Sequence, residues 1–125
     1  MPYDVIVNTA PQLKFKTADL NKTEFRSLLT EIEKIRLDKA IAKIDGDLSW
    51  LPTNAAKIDM DAAPLGKPGF LYRDVLRSAF AAYTDASTYS MNNPDLIAGL
   101  NLNAYFGLLD SPSRVAVILQ GLPLA

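Results

Sequence analysis

The chain has no cysteine and no histidine. Without cysteine there is no disulfide framework, no thiolate nucleophile and no Cys-based zinc site. Without histidine the commonest general base and metal ligand is missing, along with the one side chain that titrates near neutrality unperturbed. No apolar run approaches the ~20 residues of a membrane span, and Met1-Pro2-Tyr3-Asp4 lacks the basic start of a leader peptide. A phosphate-cradling glycine loop, a dinucleotide fingerprint and a nucleophile elbow are also missing. The net charge of −1 argues against a strongly basic nucleic-acid binder, although it leaves room for a local basic face. These absences predict a soluble, intracellular protein that is not an enzyme and takes no cofactor and no metal.

What is there suffices for one folded domain. The chain has 125 residues, 49% of them hydrophobic and 22% charged, which predicts a single domain over 1–125 with a core of its own. Its charges are unevenly spread. Twenty of the 27 lie in the first 67 positions, and from Asn92 to Ala125 only Asp95, Asp110 and Arg114 remain. One small domain has limited interior, so the uncharged tail is expected to be covered partly by a second chain.

Tyr3 to Asn8 is rich in β-branched residues and Gln12 to Lys16 alternates, which predicts an N-terminal hairpin joined through Thr9-Ala10-Pro11. From Thr23 to Ile44 there are two apolar stripes. Phe25, Leu28, Leu29 and Ile32 share one helical face, while Leu37, Ile41 and Ile44 lie roughly a third of a turn away. Either one helix touches two neighbours, or it ends near Glu33 and the chain continues extended. The period-two run Ile35-Arg36-Leu37-Asp38 favours a strand with a bulge over 34–44; a helix is the alternative. Ala56 to Ala62 alternates strictly and predicts a half-buried strand with Ile58 and Met60 inward. Phe70 to Thr84 reads as a strand with Tyr72, Asp74, Leu76, Ser78 and Phe80 on one face, although its Ala and Leu content also suits a helix. Asn93-Pro94 and Ser111-Pro112 each open a helix, the first running to about Leu109.

Asp59 and Asp61, two apart on a strand face, could hold a hard divalent cation or act as an acid–base pair, but such pairs are more often a solvated face. Asp45-Gly46-Asp47 is turn chemistry. The cations among residues 31–43, taken with Lys57, Arg73 and Arg77, could hold phosphates, or simply be a solvated surface. Trp50 is expected to anchor a core.

Four stretches carry a family resemblance: Asp4-Val-Ile-Val-Asn8 with Leu13-Lys-Phe-Lys16; Ala56-Lys-Ile-Asp-Met-Asp-Ala-Ala-Pro64; Leu71-Tyr-Arg-Asp-Val-Leu-Arg-Ser-Ala-Phe80; and Asn93-Pro-Asp-Leu-Ile97 through the Leu-Leu-Asp-Ser-Pro112 break to Val115-Ala-Val-Ile118 and Leu122-Pro-Leu-Ala125. Dispersed over most of the chain, they resemble the coat proteins of the leviviruses, the small single-stranded RNA bacteriophages. The resemblance implies an α+β fold: an antiparallel sheet with an N-terminal hairpin and two C-terminal helices packed across a dimer partner. It implies dimers that build an icosahedral shell in the host bacterial cytoplasm, a virion location, and an inner sheet face that binds a genomic RNA hairpin for packaging and translational repression. Its RNA-facing positions would be Lys57, Asp59 and Asp61, then Arg73, Val75 and Arg77, with Arg36, Lys39 and Lys43 on the preceding strand. Two other readings compete: a small, mainly helical regulatory or interaction module, and a carboxylate-dependent metalloenzyme built on Asp59 and Asp61.

Overall fold

Asn21 and Thr30 open helices by the same device. In the computed structural model, which describes residues 19–121, the Glu24 N–H donates to Asn21 Oδ1 at 2.8 Å and the Asn21 N–H donates to Glu24 Oε1 at 3.0 Å. Nine residues later the Glu33 N–H donates to Thr30 Oγ1 at 3.1 Å and the Thr30 N–H to Glu33 Oε1 at 2.9 Å. Each pair is a capping box, satisfying two backbone donors that a helix start leaves open. The results are α1 (Lys22–Arg26) and α2 (Glu31–Ala42).

The two apolar stripes therefore belong to two helices. Phe25, Leu28 and Leu29 are buried from α1 and the turn after it; Leu37 and Ala40 are buried from α2, with Ile41 and Ile44 packed alongside. Ile32, assigned from the sequence to the first stripe, is exposed. The strand expected over 34–44 is a helix through Ala42, because the Thr30 box starts a new helix where the first face runs out.

The strand expected over Ala56–Ala62 is also absent. Asn54 holds φ 55°, and the N–H groups of Lys57, Ile58 and Met60 donate to Asn54, Ala55 and Lys57, a series of tight turns that includes the 3₁₀ turn Ala55–Lys57. Ile58 is buried as expected, but Met60 is half exposed. Only β2 (Asp61–Ala62) is extended, pairing antiparallel with β3 (Lys67–Leu71). The carbonyls of Ile58 and Met60 instead accept from Arg73 and Tyr72, the first N–H groups of α3 (Tyr72–Asp85). The strand expected over 70–84 is thus mostly this helix. Its burial follows helical spacing, with Tyr72, Leu76 and Phe80 inward, and Asp74 Oδ2 accepts from the Leu71 N–H at 2.9 Å to start it.

A second two-stranded antiparallel sheet joins β1 (Leu20–Asn21) to β4 (Thr88–Tyr89). The two expected C-terminal helices are present as α4 (Pro94–Tyr105), capped by Asn93, and the short α5 (Arg114–Ile118). The described residues form an α+β fold of five α-helices and two small antiparallel sheets. The hairpin expected over Tyr3–Lys16 lies outside them.

The uncharged tail is covered chiefly by its own chain. Leu100, Leu102, Ala104, Phe106, Leu108, Leu109, Val115 and Ile118 are buried with Leu20, Leu28, Leu48 and Leu76 in one core. Tyr72 stacks on Tyr105 at 5.8 Å and meets the edge of Phe106 at 6.0 Å. The loop Pro52–Asn54 caps the end of α4, with Thr53 Oγ1 and Asn54 Nδ2 both donating to the Tyr105 carbonyl at 2.7 Å. No helix among the described residues is long and apolar enough to cross a membrane.

Candidate functional site

The nine residues expected on an RNA-facing sheet are dispersed over four elements. Arg36, Lys39 and Lys43 come from α2 and its end, Lys57 from the 3₁₀ turn, Asp59 and Asp61 from the turn region and β2, and Arg73, Val75 and Arg77 from α3. A common flat face is ruled out, because helices and tight turns replace the strands that would have aligned them. Some do converge around the turn Ile44–Asp47. Arg73 forms a bidentate pair with Asp59 at 2.8 and 3.1 Å and donates to the carbonyls of Ile44 and Gly46 at 2.9 and 2.7 Å. Arg77 reaches Asp45 and Asp74, both at 2.8 Å. Lys39 sits 4.4 Å from the centre of the Trp50 ring, and Lys39 and Lys43 both act on Asp47. Arg36 leaves this group to pair with Asp110 at 2.9 Å, and Val75 packs against the core.

The cluster is balanced. Lys39, Lys43, Arg73 and Arg77 face Asp45, Asp47, Asp59 and Asp74, so it carries no net charge to attract phosphate. Its guanidinium donors are committed: the hydrogen bond from Arg73 holds the Asp59 carboxyl below its ordinary range, and the Leu71 N–H followed by Arg77 does the same for Asp74. Asp61 is a hairpin brace, accepting from the N–H groups of Ala63 at 2.8 Å and Gly69 at 2.9 Å. Asp59 and Asp61 are thus occupied separately, and no group of three acidic ligands suited to a metal occurs among the described residues.

Two features were not singled out from the sequence. The first is a buried ion pair. Glu33 is fully buried and its two oxygens accept from Arg114 Nε and Nη2 at 2.9 Å each, from the Asp110 N–H at 3.0 Å and from the Thr30 N–H at 2.9 Å. Arg114 also donates to the Leu28 carbonyl at 2.8 Å. Burial pushes the Glu33 carboxyl up, but the hydrogen bonds from Arg114 and the two backbone donors outweigh it and leave the group below its ordinary value. This pair ties α2 to α5 and to the loop between α4 and α5.

The second is an open groove of about 930 Å³ along α3 and α4. While Tyr72, Leu76 and Phe80 face the core, Val75, Ser78, Ala79 and Ala82 form a second stripe of α3 that lines the groove together with Ala86, just past the helix end. The opposite wall is α4, where a Cβ at Gly99 would make an ordinary contact with that of Ala79, at 3.7 Å. One end is an aromatic cluster, with Phe25 and Tyr89 rings 4.9 Å apart and Tyr83 and Tyr89 rings 5.5 Å apart. At the rim stands Phe70, 59% exposed. The wall also contains Asn103, whose Oδ1 is buried and accepts no hydrogen bond. Small residues at helical spacing on α3 and α4 were the sequence signal for this groove, but a strand reading of 70–84 splits that stripe between two faces.

Comparison with known proteins finds no family model, no curated relative and no solved structure that matches this chain.

Proposed function

We propose that this protein is a small, mainly helical interaction module that binds a protein segment along the α3–α4 groove and carries out no catalysis. The groove is the supporting observation: a concave, mainly apolar surface on two packed helices suits an apolar peptide segment. Helical 31–42 and 72–85 also agree with the module reading rather than with a large sheet. A photo-cross-linking residue placed at exposed Ser78 should give one discrete protein adduct in cells, and the same residue at Lys57, outside the groove, should give none. Equal labelling at both positions would sink the proposal.

A levivirus-like coat subunit is the second reading. It is favoured by the paired helices 94–105 and 114–118 with the Ser111–Pro112 break between them. It would have the protein assemble with itself into a shell around single-stranded RNA, located in the virion. Helices in place of the expected strands and the charge-neutral cluster around Arg73 count against it. Purified protein eluting as large particles that carry RNA would support this reading; a stable, RNA-free monomer would end it.

A further inference from the structure

The turn Ile44–Asp47 holds the one glycine of the chain that follows an aspartate or asparagine, Gly46 after Asp45. Such a pair has a reaction of its own. With no Cβ to crowd the approach, the Gly46 nitrogen can reach the side-chain carboxyl carbon of Asp45 and close a five-membered ring. The N–Cγ bond forms, and the carboxyl hydroxyl leaves as water with the Gly46 N–H proton. Water then reopens the succinimide at either carbonyl. Addition at Cγ restores aspartate. Addition at the main-chain carbonyl gives isoaspartate, in which the chain runs through Cγ and the carboxylate sits on Cα.

The fold opposes this ring closure at each of its parts. The Gly46 N–H donates to the Lys43 carbonyl at 2.8 Å, and the Asp45 carboxylate accepts from Arg77 Nε at 2.8 Å. Arg73 Nη1 donates to the carbonyls on both sides of Asp45, those of Ile44 at 2.9 Å and Gly46 at 2.7 Å. The attacking nitrogen, the attacked carboxylate and the main chain between them are thus each held, two of them by arginines one turn apart on α3. Solvent still reaches the turn, because the Asp45 side chain is 74% exposed. Nor does the turn demand glycine. Gly46 has no positive φ, and a Cβ there would lie 3.7 Å from the Lys43 carbonyl oxygen, an ordinary contact.

From this geometry we infer that Asp45–Gly46 is a site of spontaneous isomerisation to isoaspartate, held closed by Arg73 and Arg77. Isomerisation lengthens the main chain of the turn and withdraws the carboxylate from Arg77, so α3 loses its hold on the end of α2. The inference is independent of any partner in the α3–α4 groove.

Ageing of the full-length protein beside a free peptide of residues 44–57, at neutral pH, tests it. Trypsin cuts after Lys43 and Lys57, so the same peptide is released from the protein, and electron-transfer fragmentation separates isoaspartate from aspartate at position 45. Formation in the folded protein should be at least about tenfold slower than in the peptide, since modification follows the population of the open turn. Arg73→Gln should raise the rate in the protein about tenfold, by freeing both carbonyls. Arg77→Gln should raise it about threefold, because its pair with Asp45 is exposed and screened. Adding Gly46→Ala to either variant should slow the reaction again. Thr30→Ala, which loosens the start of α2 and leaves both arginines in place, should stay within about twofold of the unaltered protein. Should Arg73→Gln fail to fold by circular dichroism, Arg77→Gln decides alone. A peptide that forms no isoaspartate overturns the inference, as does a folded protein that reacts as fast as the peptide. Folded arginine variants no faster than the unaltered protein overturn it too. So does a rise in Thr30→Ala equal to theirs, which would make general unfolding the gate.

Discussion

Arg114 is the last cation of the sequence, and Glu33 is the one charged side chain buried among the described residues. A buried carboxylate with four hydrogen bonds is tolerable only while they persist, so Arg114→Met should cost about 3–5 kcal/mol in urea unfolding, a large part of a small domain's ~5–15 kcal/mol. The pH dependence follows from the depressed value. Ionised Glu33 stabilises the fold fully above its ordinary value of 4.5, and that contribution is lost as the pH falls through the lower folded value. Urea midpoints followed from neutral to acid should therefore fall more steeply in the unaltered protein than in Glu33→Gln. The sequence held a signal for this pair: a single cation in an otherwise apolar stretch needs a partner. The identity of that partner, 81 residues away, was not legible from local pattern. Gly107 is a second residue with a defined role. Its φ is 79°, and a Cβ would lie 2.8 Å from that of Pro52. Gly107→Ala should cost about 2 kcal/mol, from backbone strain and crowding together. Gly66→Ala, at φ 78° with open space around it, should cost about half as much.

At the scale of elements, what could be read depended on length and on caps. Asn93-Pro94 announced α4 because a capping side chain followed by proline has few other uses. Ala56–Ala62 misled because a few alternating residues satisfy a chain of tight turns as well as a strand, and nothing local says which carbonyls will cap α3. Tyr72–Asp85 misled because its apolar residues at 72, 76 and 80 fit both a period of two and a helical one. The capping boxes Asn21-x-x-Glu24 and Thr30-x-x-Glu33 were legible and would have divided the two stripes correctly. Thr30→Ala should lower stability by about 1 kcal/mol in chemical denaturation, by freeing the Glu33 N–H. Far-ultraviolet circular dichroism should show a helix-dominated spectrum; one dominated by strand would contradict α2 and α3 together.

For the whole molecule, much of the lopsided charge distribution is accounted for within the described residues. The uncharged tail forms much of the core, and the charged front is largely self-neutralising. Arg26 pairs with Asp38, Arg36 with Asp110, Arg73 with Asp59, and Arg77 with Asp45 and Asp74. Single-stranded RNA should consequently bind weakly and with a shallow salt dependence. Asp45→Asn combined with Asp59→Asn should remove two negative charges from beside Arg73 and Arg77, raise affinity and steepen the slope of log affinity against log salt by about 1–2 units, read by fluorescence anisotropy. The small residues along α3 and α4 hinted at the groove, but the groove itself exists only once the two helices lie side by side.

The Glu33–Arg114 pair also makes the seating of α2 depend on a residue 81 positions later in the chain. A ribosome releases Glu33 long before Arg114, and until the arginine emerges the carboxylate has no counter-ion that would let it leave water. A chain truncated before Arg114 should therefore leave the buried Glu33 carboxylate without its partner and be cut faster than the full chain in limited proteolysis.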